Sequence, residues 1–244
     1  MIKLHERTKE LRNQQGSNAT ASQRHDLVII FRAIGSALMR SSPDEALVSA
    51  EEARDTMKGL IDSDPANLDW RSELSIIHEF IGDLFKVQGH FEQALAAYDE
   101  SLAIRKDLTQ RDSNDPTRKK NRADTDEKIG DAFAASGDLD RAHASYGDGL
   151  EIREDLVRRI PKNAAFQRAL VATQRRIGDA LRDHGRIEDA LAAYHGALGR
   201  AKDLLPASAL RASGITPIRG VPSPARSIIC TAVAASISTT PTVT

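Results

Sequence analysis

Apolar residues recur along this chain with a helical period, and polar breaks interrupt them at even intervals. Leu27, Ile30, Phe31, Ile34 and Leu38 lie on one face of a helix expected over 21–39. Ser42-Pro43-Asp44-Glu45 then reads as a helix start, with serine as cap, proline in the first turn and acids where the helix dipole favours them. That helix is expected to reach about Ile61 and to stop at 62–65, because Asp64 precedes Pro65 and a residue before proline avoids helical angles. Trp70, Leu74, Ile77, Ile81 and Leu84 mark the next helix, from about Leu68 to Val87. Gly89 supplies a turn, and Phe91, Ala94, Leu95, Tyr98, Leu102, Ile104 and Leu108 mark a helix that breaks at 112–116. A third pair follows, with a turn at Gly137 and a second helix to about Arg158. Arg118 and Arg122 stand there in the places of Trp70 and Leu74, so its first helix is expected to begin late or to be poorly buried at its start. Phe166, Leu170 and Ile177 restore the stripe before a turn at Gly185 and a helix from Ile187 to about Leu205.

A phrase repeats within this pattern. Ile81-Gly82-Asp83, Ile129-Gly130-Asp131 and Ile177-Gly178-Asp179 are each 48 residues apart, and a weaker copy, Ile34-Gly35-Ser36, lies 47 residues ahead of the first. Ala94, Ala142 and Ala190 follow at fixed spacing, and Tyr98, Tyr146 and Tyr194 come four residues after them. Such self-similarity is the signature of a stacked array. The fold class is therefore all-α, an α-solenoid of antiparallel helix pairs, with four repeats at about 21–66, 67–116, 117–163 and 164–205. Residues 1–20 read as the helical stub of an incomplete repeat. Residues 206–244 hold five of the nine prolines and no acid, so they are expected to be a low-complexity, disordered tail, or an out-of-frame read of a former repeat. Within that tail, 228–237 is apolar enough to stick to a partner or to aggregate.

Once Gly82, Gly89, Ala94 and Tyr98 are aligned with their copies, the spacing resembles the tetratricopeptide repeat, stretched from 34 to 48 residues as in a long-period bacterial variety. The resemblance implies a right-handed curved stack, with the first helix of each pair lining a concave, peptide-binding side. A glycine in mid-helix costs about 1 kcal/mol against alanine. Gly82, Gly130 and Gly178 therefore need a close neighbour, expected to be the small Ala94, Ala142 or Ala190, while Gly89, Gly137 and Gly185 serve the turns. The tyrosines are expected to seal adjacent repeats.

Net charge is −1 and aromatics make up 4%, so neither nucleic acid nor membrane is indicated as a partner. The start of the chain lacks a secretory apolar core, and no stretch is apolar enough for a membrane span. The single Cys230 leaves no disulfide framework and makes a reducing, cytoplasmic setting the default. His5, His25, His78, His90, His143, His184 and His195 form no metal-binding spacing, and His143 reads as a half-buried substitute for leucine. Basic runs at 118–120 and 158–159 fall at repeat junctions. No phosphate loop, dinucleotide fingerprint or nucleophile motif occurs, so no enzyme and no cofactor are expected.

The candidate partner-binding residues are Glu79, Asp83, Glu127, Asp131, Arg175 and Asp179, which share the helix face that binds peptides in the resembled family. Two readings stand side by side. They form an acidic stripe for basic or amide-rich segments, or the aspartates bond within the array, as Asp83 with Lys86 and Asp179 with Arg182 at i+3. The expected function is a protein–protein interaction scaffold holding a protein or peptide partner. The alternative is a fragment of a larger regulatory or sensor protein. Homo-oligomerisation through uncapped solenoid ends is compatible with either.

Overall fold

The structure, a computed structural model, describes residues 19–204. The tail at 206–244, with Cys230 and the apolar stretch at 228–237, and almost all of the stub at 1–20 lie outside the described residues.

Each odd-numbered helix of the array begins on the same kind of residue. Thr20 accepts from the Gln23 amide, Asn67 from Trp70, Asp115 from Thr117 and Arg118, and Asn163 from Ala165 and Phe166. These short polar side chains satisfy amides that have no partner inside a helix. The helices they start are α1 (Ala21–Leu38), α3 (Leu68–Val87), α5 (Pro116–Ser136) and α7 (Ala164–Asp183). Their partners are α2 (Pro43–Ser63), α4 (Phe91–Arg111), α6 (Leu139–Arg159) and α8 (Ile187–Leu204). Gly89, Gly137 and Gly185 turn each of the last three pairs with φ of +78°, +88° and +79°. The amides of His90, Asp138 and Arg186 reach back to the carbonyls of Phe85, Phe133 and Leu181 at 2.9 Å, which closes the helix end.

Three expectations need correction here. The helix α5 does not begin late: Asp115 caps it and Pro116 occupies its first turn, where the missing amide costs nothing. Ser42 makes no side-chain cap bond, so α2 starts on Pro43 and its two acids alone. On α1 the buried face is Leu27, Val28, Phe31 and Gly35, while Ile30 is 47% exposed.

Packing runs between sequence neighbours, most extensively within the pairs α1–α2, α3–α4, α5–α6 and α7–α8, and next between them through α2–α3, α4–α5 and α6–α7. Such a stack is a helical-repeat solenoid, in which each unit depends on the units beside it. Its apolar core is uneven. Phe31, Met57, Leu60, Ile77 and Leu84 join the first two repeats in one cluster, whereas Ala94, Tyr98, Ile129 and Ala132 form a smaller one between the second and third.

Candidate interaction surface on the helix ladder

The repeated phrase builds a lock inside each unit. A Cβ added at Gly82 would lie 2.4 Å from the ring of Tyr98, and the corresponding distances are 2.6 Å for Gly130 with Tyr146 and 2.5 Å for Gly178 with Tyr194. The close neighbour of each glycine is therefore the tyrosine ring and not the alanine. Ala94, Ala142 and Ala190 are buried, but they lie one turn earlier on the second helix. Each tyrosine hydroxyl donates to the aspartate of its own repeat, at 2.7 Å for Tyr98 to Asp83 and 2.8 Å for both Tyr146 to Asp131 and Tyr194 to Asp179. Burial, then the neighbouring carboxylate, raises the pKa of Tyr98 and Tyr146, so both remain donors. Tyr98 also packs against Ile129 and Ala132 of α5.

The aspartates then reach across the junctions. Lys128 Nζ donates to Asp83 Oδ1 at 2.7 Å and Arg176 Nη1 donates to Asp131, each from the next repeat. Asp83 thus takes Lys128 rather than the expected Lys86. Asp179 differs, pairing on its own helix with Arg175 at 3.3 Å and Arg182 at 3.4 Å.

Beneath this ladder lie two buried polar clusters. Glu79 faces Arg105 at 3.2 Å and accepts from Thr125 at 2.7 Å, while Arg105 also donates to Ser75 and to the Asn121 carbonyl. One repeat on, Glu127 faces Arg153 Nη2 at 3.0 Å and accepts from Thr173, and Asp124 accepts from the same nitrogen at 2.7 Å. Glu79 and Glu127 are only 9% exposed, so they are internal ties rather than members of a surface stripe. Burial raises the pKa of Glu79 and lowers that of Arg105, each opposed by the charge of its partner.

The first basic run is also engaged within the array. Lys119 meets Asp155 at 2.8 Å, Lys120 meets Asp124 at 2.7 Å, and Arg118 donates to the Leu108 carbonyl at 3.0 Å. Of these contacts only the Arg118 bond crosses to the preceding repeat; Lys119 joins the two helices of its own repeat and Lys120 pairs along α5. His143 is exposed rather than half-buried. Sequence reasoning passed over Lys128, Arg176, Arg105, Arg153, Thr125 and Thr173, although each pair recurs at the 48-residue period. Among the described residues no group of His, Cys, Asp and Glu is placed to hold a metal ion, and no helix is long and apolar enough to cross a membrane.

No family model matches the chain, and no curated protein matches it. Among solved structures it is similar to BtubC from P. vanneervenii, with 17% identity, a TM-score of 0.54, and 91% of this chain and 78% of that one covered. MamA aligns at 14% identity and TM-score 0.44 over 80% of this chain and 95% of its own. A kinesin light chain from Podosopora anserina with nearly identical TPR-like repeats aligns at 15% and 0.38 over 80% and 93%. The likeness to BtubC shows the fold, a helical-repeat solenoid, and the 48-residue phrase that builds it resembles a stretched tetratricopeptide repeat.

Proposed function

We propose that this protein is a non-enzymatic scaffold, acting in a reducing, cytoplasmic setting, that holds a peptide segment of a partner protein along α3, α5 and α7. The observation that supports this reading is the ladder itself. Asp83, Lys128, Asp131, Arg176 and Asp179 are part-exposed charges set at regular intervals along the stack. Exposed ion pairs are worth about 0–1 kcal/mol, so a partner's charges exchange with them at little cost. Glu79 and Glu127 drop out as contacts because they are buried, which leaves Asp83, Asp131, Asp179 and Arg175. The fitting segment carries lysines or arginines for the aspartates, and its binding weakens with salt.

The test is capture of partner proteins by the full chain and by an Asp83→Asn/Asp131→Asn/Asp179→Asn variant with unchanged circular dichroism. Asparagine keeps an oxygen for each tyrosine and removes only the ladder's negative charge. A protein held by the wild type and lost by the variant supports the site. A protein held equally by both moves the site off the aspartates, and no captured protein counts against the scaffold itself.

A further inference from the structure

The junctions of the array come in two kinds, and the difference is written at three aligned positions. At the second and third junctions the upstream repeat carries glutamate on its first helix and arginine on its second, and the downstream repeat answers with threonine. The sets are Glu79, Arg105 and Thr125, then Glu127, Arg153 and Thr173. At the first junction the aligned residues are Arg32, Met57 and Ile77, and Met57 and Ile77 are fully buried in one apolar cluster. A repeat without the glutamate has an apolar residue in place of the arginine, and isoleucine comes next. Arg32 is half-exposed, so no buried carboxylate or guanidinium is left unpaired in that arrangement, which is what makes the apolar form stable.

The two ends of the described stack carry the two halves of this apolar junction. In the last repeat the aligned residues are Arg175, in place of the glutamate, and Ala201, in place of the arginine. In the first repeat the residue aligned with Ile77 is Ile30, which is 47% exposed. The last helix also turns outward two leucines whose counterparts are covered elsewhere. Leu95 and Leu102 of α4 pack against the cluster of Ile129 and Ala132, whereas their counterparts in α8, Leu191 and Leu198, are 37% and 42% exposed.

We propose that a second copy of this chain docks α1 on α8 of the first, continuing the array head to tail through an apolar junction of the kind formed by Met57 and Ile77. Ile30 of one copy lies over Ala201 and Leu198 of the other, and no buried ion is stranded. The contact uses different surfaces on the two copies, so it is heterologous and leads to rings or open chains according to whether the rotation closes.

The full-length protein and two single variants, Ile30→Glu and Leu198→Glu, test this by sedimentation velocity over roughly a hundredfold concentration range. Both sites are half exposed, and circular dichroism checks that each variant folds. The wild type is expected to grow in mass with concentration, and each variant alone to associate at least about tenfold more weakly. An equimolar mixture of the variants is expected to form dimers and nothing larger, because one variant keeps a working α8 face and the other a working α1 face. Variants that assemble as the wild type does, or a mixture that forms no dimer, would overturn the proposal. A wild type that stays monomeric throughout would also overturn it.

Discussion

Tyr146 ties three groups together: its ring fills the space over Gly130, its hydroxyl holds Asp131, and Asp131 holds Arg176 of the next repeat. Tyr146→Phe keeps the ring and removes one charge-assisted hydrogen bond, so a loss of about 1–2 kcal/mol is expected on urea unfolding. A mid-helix glycine without such a neighbour behaves in the opposite way. Gly147 has no atom within 4 Å of an added Cβ, and Gly147→Ala is expected to stabilise by about 0.5–1 kcal/mol. Asp126 sets a pH dependence. Burial first, then Asp148, push its pKa up to about 6, against Arg122, Lys106 and Arg153. Its Oδ2 has no hydrogen bond, and the Arg122 Nε lies 3.9 Å away. A carboxyl whose folded pKa lies above its unfolded value adds stability at low pH and loses it as pH rises through the folded value. Asp126→Asn should therefore raise stability at pH 7 by on the order of 1–2 kcal/mol, with the difference fading towards pH 4 in denaturation curves. The glycine–tyrosine pairing was not legible from spacing. Ala94 and Tyr98 are one turn apart on the same face of α4, and helical periodicity does not say which of them lies opposite Gly82 across the hairpin.

At the scale of the helix, breaks and turns were legible because they are local. Gly89, Gly137 and Gly185 adopt the left-handed angles that end a helix, and the repeat breaks fall where Asp64-Pro65 and Asp115-Pro116 stand. The start of α5 was misjudged because two arginines replace apolar residues there. They bury their stems while Arg118 bonds a carbonyl and Arg122 faces Asp126, so burial at the start of that helix is half polar. The junction clusters were illegible for another reason: Glu79 and Glu127 look like surface acids until Arg105 and Arg153 arrive from the neighbouring helix. Arg153→Met is expected to cost about 3–5 kcal/mol, because Glu127 and Asp124 lose their buried partner. Adding Glu127→Leu and Thr173→Ile should recover most of that loss by recreating the apolar junction of Met57 and Ile77. A triple variant no more stable than Arg153→Met alone would show that the two junction types are not interchangeable.

Over the whole molecule, stability is spread along the stack. A large apolar core holds the first two repeats, and from the second repeat on a smaller apolar core is joined by carboxylates, guanidiniums and tyrosines. The first repeat shows how the two systems exchange. It lacks both the aspartate and the tyrosine, and Phe80, at the position of Lys128 and Arg176, instead covers Gly35, with a ring atom 2.8 Å from where a Cβ would stand. The repeated phrase is thus first a packing instruction for the array, and the surface offered to a partner is what that packing leaves exposed. The most direct measurement is a double-mutant cycle on Gly130 and Tyr146, read by urea unfolding of Gly130→Ala, Tyr146→Ala and the double variant. Gly130→Ala is expected to cost about 2–3 kcal/mol in the wild-type background, by overpacking against the ring, and to become neutral or stabilising once Tyr146→Ala has removed it. An equal cost in both backgrounds would contradict the lock.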